Sequence, residues 1–124
     1  MFRVASYEEF HDGQVIIQEG THGDWTYVVV EGSVEISKKV QDRQIVVAIL
    51  SKGEIFGELA FISGVPRTAT AKAVGETTVG VVDKDYFTKE YNKLPTDFRH
   101  IFNTVAMRLK KMTDTFIASH SDEQ

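Results

Sequence analysis

Two charged residues near the middle of the chain, Glu58 and Arg67, have side chains suited to holding a nucleotide. They lie nine positions apart in the segment 56-FGELAFISGVPRTATAKA-73. A guanidinium can bind a phosphate through two parallel hydrogen bonds, whereas a carboxylate only accepts hydrogen bonds and suits a sugar hydroxyl. The same two residues could instead form a structural salt bridge. Their spacing alone leaves both interpretations open.

Glycine and proline shape the loop between these two residues. Gly57 ends a short predicted strand, residues 58–62 can form a helical turn, and Gly64 and Pro66 redirect the chain. The first N–H groups of a helical turn have no intrahelical acceptor and carry a partial positive charge, so they attract anions. The segment is therefore a candidate site for a ligand that carries a phosphate.

The composition requires that any anion be bound locally. The 124 residues carry a formal net charge of −4, so no overall positive field would attract nucleic acid or anionic lipid. The absence of cysteine excludes disulfides, thiolate nucleophiles and cysteine-bound metal centres. The N-terminus does not resemble a signal peptide, and no run of about 18 apolar residues occurs, which predicts a cytoplasmic protein without a membrane segment.

Motifs of several enzyme classes are missing from the sequence. The four histidines, His11, His22, His100 and His120, have no spacing typical of a metal site. The glycine-rich phosphate loop of nucleoside triphosphatases is absent, and no Ser-His-Asp arrangement can be argued. The sequence therefore predicts a binding protein rather than an enzyme, with no metal and no cofactor.

Short runs of strand-forming residues, separated by glycine turns, fill the chain from Gln14 to about Asp83. Runs spaced by about 8–12 residues favour an antiparallel barrel or sandwich. Glycines between the runs supply the positive φ values that tight corners need. The predicted strands are 15–17, 26–30, 34–37, 44–50, 54–56, 70–74 and 78–82, with a turn at Glu31-Gly32.

Two helices are predicted after the strands. Asp83 can cap a helix over residues 84–92, and Pro95 suits the first turn of the second helix. An apolar stripe with alternating spacings of four and three runs along the second helix, which is typical of a helix that packs along its length. The stripe could face the chain's own strands or a second copy of the chain; it consists of Phe98, Phe102, Val105, Leu109, Met112 and Phe116.

This ordered set of motifs resembles the cyclic nucleotide-binding domain family. The run 56–73 is similar to the family's phosphate-binding cassette, and the resemblance extends over nearly the whole chain through 15-VIIQEG-20, 24-DWTYVVVEGSV-34 and 52-KGEIFGE-58. The family includes regulatory subunits of cyclic AMP (cAMP)-dependent protein kinase, the bacterial catabolite activator protein and cyclic nucleotide-gated channels. The resemblance implies a mainly β fold with flanking helices, namely an antiparallel β-roll (a jelly roll or double-stranded β-helix) followed by C-terminal helices.

Carried over residue by residue, the resemblance assigns Arg67 to the cyclic phosphate and Glu58 to the ribose 2′-hydroxyl. Backbone N–H groups near Gly57, Ala60 and Thr68 would complete the phosphate site, and the last helix would cover the base. Methionine at position 112 replaces a hydroxyl residue of the catabolite activator, which puts an adenine-specific hydrogen bond there in doubt. The full predicted ligand-binding set is Phe56, Gly57, Glu58, Leu59, Ala60, Pro66, Arg67, Thr68, Ala69, Arg108, Met112 and Thr113.

The resemblance also implies a function for one domain over residues 1–124. A β-roll over about 1–83 would be followed by a helical segment over about 84–118 and a polar tail over 119–124. Such a domain would bind cAMP, or less favourably cyclic GMP (cGMP), and convert binding into movement of its last helix. Its expected partners are the nucleotide, an effector protein or fused domain, and a second copy through the last helix, but not nucleic acid. The alternative is a scaffold of the same fold that dimerises without ligand.

Overall fold

The computed structural model describes residues 3–121, apart from the side chains of Ala60, Ser63, His120 and Ser121. The strands in this part of the chain are β1 (Val4–Phe10), β2 (Val15–Ile17), β3 (Tyr27–Val40), β4 (Arg43–Leu50), β5 (Ile55–Phe56) and β6 (Thr70–Val82). The helices are α1 (Glu58–Ser63), between β5 and β6, and then α2 (Lys84–Asn92) and α3 (Thr96–Ser121).

All strand pairs are antiparallel, and the strands form a sheet in the order β1-β6-β3-β4, with β2 paired to β6 and β5 paired to β3. The long strands β3 and β6 are the frame of this sheet. They pair along most of their length, from Tyr27 opposite Val81 to Ser37 opposite Thr70. The predicted fold class, an antiparallel β-roll with C-terminal helices, is confirmed.

Bends rather than turns divide the two long strands. The predicted turn at Glu31-Gly32 is wrong, because β3 continues through it while its register with β6 shifts on both sides of Glu31. Gly32 has a φ of 85°, and Gly75 in β6 has a φ of 71°; glycine adopts such values without the penalty that a Cβ would bring. Each of two predicted strand pairs, 26–30 with 34–37 and 70–74 with 78–82, therefore forms one bent strand.

Strand β1 is absent from the strands that the sequence predicts. Its sequence, VASYEEF, has exposed residues at five of seven positions and shows no apolar alternation. It is held by pairing with β6, from Val4 opposite Val82 to Phe10 opposite Thr77. Partner strands rather than local preference determine such an element.

The buried core lies directly beside the predicted ligand-binding segment. It contains Ile17, Val29, Val34, Phe56, Ala71 and Val79. Phe56 stacks on Tyr27, with ring centroids 5.3 Å apart and an angle of 17° between the ring planes. This stacking fixes the short strand β5 beside β3, and the chain leaves the core at Gly57.

The three helices lie close to their predicted positions. Helix α1 is the predicted helical turn, and α2 begins after Asp83, whose Oδ1 accepts a hydrogen bond from the Tyr86 N–H at 3.1 Å. Helix α3 follows Pro95 and has 26 residues. None of the helices in residues 3–121 has the length and apolar character needed to cross a membrane.

The apolar stripe of α3 is not packed on the β-roll. Its six residues are between 51% and 69% exposed. Helix α3 contacts the roll near its C-terminal end instead, where Ile117 is only 3% exposed. Of the two surfaces proposed to cover the stripe, the chain's own strands do not do so in this structure.

We expect Gly32→Ala to destabilise the fold more than Gly75→Ala. Both positions have a positive φ, at which a Cβ costs about 1 kcal/mol in strain. At Gly32 the Cβ would also lie 2.5 Å from the Glu76 carbonyl oxygen, whereas at Gly75 nothing lies within 4 Å. Urea unfolding should give losses of about 1 kcal/mol for Gly75→Ala and about 3 kcal/mol or more for Gly32→Ala. Equal losses would show that the bend in β3 relaxes around the added carbon.

Candidate functional site

A cavity of about 230 Å³ lies between α1 and the neighbouring strands. Its apolar wall includes Ile17, Ile36 and Leu50, from β2, β3 and β4. An apolar pocket with a few polar groups at one end is the usual form of a small-ligand site. Seven of the twelve predicted ligand-binding residues line it: Phe56, Gly57, Glu58, Leu59, Arg67, Thr68 and Ala69.

Backbone hydrogen bonds hold Arg67 at this cavity. Its N–H donates to the Thr21 carbonyl at 2.9 Å, and its own carbonyl accepts from the Gly20 N–H at 2.8 Å. The loop before β6 is thereby tied to the turn after β2. Because both bonds use backbone atoms, they hold the loop independently of the side chain at position 67.

The Arg67 guanidinium is buried between two glycines. The residue is 7% exposed, and its Nη1 donates a hydrogen bond to the Gly57 carbonyl at 3.2 Å. A Cβ at Gly57, which has a φ of 82°, would lie 2.8 Å from Nη1, and one at Gly23 would lie 3.4 Å from Nε. Glycine at these two positions therefore makes room for the guanidinium.

No carboxylate of residues 3–121 forms an ion pair with this guanidinium. Neither Arg67 nor Glu58 takes part in an ion pair within residues 3–121, so the salt bridge that the spacing left open is not formed. Burial lowers the pKa of Arg67, since desolvation penalises the charged form, while Tyr27 and Asp24 act in the opposite direction. Asp24 is paired with Lys84, whose hydrogen bond lowers the pKa of the Asp24 carboxyl.

Such a guanidinium is suited to receive an anion. A buried cation without a countercharge is unfavourable because it has lost its water. Apart from the Gly57 carbonyl, the described residues offer no acceptor to the guanidinium N–H groups of Arg67. An anion in the cavity would supply both the missing charge and the missing acceptors, through charge-assisted hydrogen bonds.

Glu58 lies in the wall between two cavities. It is the first residue of α1 and is partly exposed. Besides the cavity at Arg67, it lines a mainly apolar cavity of about 460 Å³. In the wall of that second cavity, Phe61 of α1 packs edge-to-face on Tyr91 of α2, with ring centroids 6.5 Å apart. The Glu58 carboxylate can accept a hydrogen bond from a hydroxyl in the first cavity, and α1 connects it to α2.

Four of the predicted residues lie away from the cavity at Arg67, and the side chain of a fifth, Ala60, is outside the described part. Pro66 is exposed, and Met112 is 69% exposed on α3. Thr113 donates its hydroxyl hydrogen bond to the Leu109 carbonyl within α3, at 2.9 Å. The predicted base contacts of Met112 and Thr113 therefore stay predictions, as does the predicted place of Arg108 near the pocket.

Sequence reasoning missed the apolar wall and one charged neighbour of the loop. Ile36 could have been found, because alternation along β3 gives it the same face as the buried Val34. The charged neighbour is Lys38, whose Nζ donates a hydrogen bond to the Thr68 carbonyl and lies 3.0 Å from Asp114 Oδ1. No local pattern indicates these contacts, since both partners are distant in the sequence.

The family of the chain follows from comparison with known proteins. Residues 7–93 match the family model of the cyclic nucleotide-binding domain, so the chain belongs to the cyclic nucleotide-binding domain family. The resemblance drawn from the sequence is confirmed.

Individual relatives include regulators from fungi and bacteria. The cAMP-dependent protein kinase regulatory subunit of Mycosarcoma maydis is 41% identical over 69 residues, which are 56% of this chain and 13% of the relative. The CRP-like cAMP-activated global transcriptional regulator of Mycobacterium tuberculosis is 27% identical over 104 residues, 83% of this chain and 46% of the relative. The EAL enzyme Bd1971, solved in a cAMP-bound form, has a TM-score of 0.82 and 27% identity over 94% of this chain and 30% of that chain. The chain spans less than half the length of each of these proteins.

Arg67→Met is expected to leave the free energy of unfolding unchanged or to raise it by up to about 1 kcal/mol. The variant removes a desolvated charge with one neutral acceptor, while the unbranched methionine side chain replaces the arginine stem. Urea unfolding would measure the difference, with the exposed Arg43→Met as the control. A loss above about 2 kcal/mol would mean that the guanidinium has a structural role.

Proposed function

We propose that this chain is a regulatory module that binds a cyclic nucleotide, cAMP in preference to cGMP, in the cavity that contains Arg67. The observation that carries the proposal is the buried guanidinium, which has no carboxylate partner among residues 3–121. A cyclic phosphate carries one negative charge and presents two exocyclic oxygens, which match the two-pronged geometry of a guanidinium. Membership of the cyclic nucleotide-binding domain family supports the same ligand class.

The polar residues of the cavity divide the ligand between them. Arg67 binds the cyclic phosphate, and Glu58 accepts a hydrogen bond from the ribose 2′-hydroxyl. Backbone N–H groups near Gly57, Ala60 and Thr68 complete the phosphate site. Glycine at position 57 lets a ligand approach the backbone closely, since it has no Cβ.

Helix α3 is the element that binding would move. Arg108, Met112 and Thr113 reach the base only if α3 shifts toward the cavity. A nucleotide can drive such a shift only as far as it binds one helix position more tightly than the other. The regulated partner is an effector protein or a fused domain in the cytoplasm, and the module itself binds its ligand without catalysing a reaction.

The choice between the two nucleotides rests on the relatives rather than on a residue of the cavity. Met112 offers no hydroxyl for a base-specific hydrogen bond. The EAL enzyme has been solved in both cAMP-bound and cGMP-bound forms, so this neighbour does not separate the ligands. The two sequence relatives described above are named as cAMP-dependent and cAMP-activated, which favours cAMP.

We expect Arg67→Met to weaken cAMP binding by about 30-fold to several thousand-fold. The loss corresponds to about 2–5 kcal/mol, because the phosphate loses its countercharge in a desolvated site. Isothermal titration calorimetry with cAMP and cGMP would measure both affinities, and Arg43→Met should bind like the wild type. Unchanged binding by Arg67→Met would refute the site. Binding of neither nucleotide by the wild-type protein would favour the ligand-free scaffold.

A second proposal is that α3 joins two copies of this chain. The stripe residues Val105, Leu109 and Met112 are 59%, 63% and 69% exposed, and they continue the same heptad pattern. A helix with such a stripe is stabilised when it packs along a second helix. Large exposed apolar surfaces of this kind commonly mark contacts with other proteins.

Leu109→Glu is expected to shift the protein from dimer to monomer, because it would bury two carboxylates in the seam, that is, the contact between the α3 helices of the two copies. Sedimentation velocity over a range of concentrations would measure the shift. Lys111→Glu adds a carboxylate to the same helix but off the stripe, so it should leave the dimer intact. A wild-type protein that stays monomeric at all concentrations would rule out the seam.

A further inference from the structure

Lys38 connects α3 to the candidate ligand loop, by which we mean residues 57–69 between β5 and β6. Its side chain, on β3, is 13% exposed. The ammonium donates a hydrogen bond to the Thr68 carbonyl and lies 3.0 Å from Oδ1 of Asp114. Thr68 follows Arg67 and lines the cavity, whereas Asp114 belongs to the second half of α3. One largely buried cation thus contacts both the loop and the helix.

We propose that Lys38 is a positioning residue that couples ligand affinity at Arg67 to the docking of α3 on the β-roll. This inference rests on the proposed function and deepens it, because it names a contact through which helix and loop are linked. Lys38 itself does not line the cavity.

On the loop side, Lys38 fixes the orientation of a peptide group. The bond between Thr68 and Ala69 is trans and planar, so the carbonyl of Thr68 and the N–H of Ala69 point in opposite directions. A carbonyl held by the ammonium therefore also holds the N–H of Ala69, a residue that lines the cavity. Loss of Lys38 would free this peptide group to rotate, and ligand binding would then have to order it.

On the helix side, Asp114 fastens α3. Its Oδ2 accepts a hydrogen bond from Lys110 Nζ at 2.8 Å, one turn earlier. Burial opposes ionisation of Asp114, but the ammonium groups of Lys110 and Lys38 outweigh it and lower the pKa of the carboxyl. Ile117, one turn later, is the only buried residue of α3 among those whose side chains are described. The helix is therefore attached to the roll where it meets Lys38.

Lys38 could act by physically linking Thr68 to α3 or only through its positive charge, and these two roles predict opposite results for Asp114→Asn. Asp114 does not line the cavity, so it has no direct contact through which to change binding. If Lys38 acted only through its positive field, removal of the neighbouring carboxylate would strengthen that field and tighten the binding of an anion. If Lys38 acts by linking the two segments, the loss of its contact with Asp114 leaves the ammonium less firmly positioned at the Thr68 carbonyl, and binding weakens. Coupling between two sites must act in both directions.

The test is a double-mutant cycle on cAMP affinity, measured by calorimetry on Lys38→Met, Asp114→Asn and the double variant. We expect binding to weaken about tenfold for Lys38→Met and about fivefold for Asp114→Asn. The double variant should bind no more weakly than Lys38→Met alone, since both changes break the same link. Tighter or unchanged binding by Asp114→Asn, or additive effects, would overturn the proposal.

Lys72→Met is the matched control for these variants. Lys72 lies on β6 and pairs with Glu35 of β3, with Nζ and Oε2 3.6 Å apart, so its removal also takes one lysine from the same sheet. Within residues 3–121, its side chain forms no hydrogen bond or ion pair with Thr68 or α3. The affinity of the Lys72→Met protein for cAMP should stay within about twofold of that of the wild type.

Amide hydrogen exchange without nucleotide gives a readout that does not depend on the ligand. Lys38→Met should speed exchange at residues 68–69 and 114–117, whereas Lys72→Met should not. Faster exchange in a protein that binds no cyclic nucleotide would mean that the proposed function fails while the link between loop and helix stands. If the wild-type protein binds cAMP but Lys38→Met leaves the exchange at residues 114–117 unchanged, the link is refuted.

Discussion

The rest of the site depends on the burial of the Arg67 charge, which has no carboxylate partner in the part of the chain that the structure describes. A guanidinium in this position is not expected to stabilise the fold by itself, because one hydrogen bond to a neutral carbonyl does not compensate for its lost hydration. The loop is held instead by backbone bonds to Gly20 and Thr21. The long pairing of β3 with β6 therefore supplies the stability that supports this side chain, which we propose binds the ligand.

Three consecutive residues carry the chain from the core to the site. Phe56 anchors the short strand β5 by stacking on Tyr27. Gly57 then turns the backbone with a φ of 82°, leaves space for the guanidinium and offers it a carbonyl. Glu58 begins α1 and lines the cavity. Because no residue intervenes, the packing of the core sets the position of these candidate ligand-binding groups.

The sequence predicted those parts of the structure that depend on nearby residues. The helix after Asp83 is an example, since its cap and first turn are adjacent in the chain. A glycine such as Gly32 signals a positive φ but does not distinguish a turn from a bend inside a long strand. The lack of a countercharge at Arg67 could not be predicted either, because it depends on burial and on distant contacts such as Gly23. Lys38 was missed for the same reason.

The two ends of the ligand loop contact the helices at different places. At the end that contains α1, Phe61 packs on Tyr91, whose hydroxyl accepts a hydrogen bond from Asn103 Nδ2 of α3 at 3.3 Å. At the end that contains Thr68, the contact with α3 runs through Lys38 to a residue further along that helix. A ligand held between Glu58 and Arg67 would lie between these contacts. It could therefore favour one position of α3 at two points, so a small change in the loop would act on the whole helix rather than on one turn.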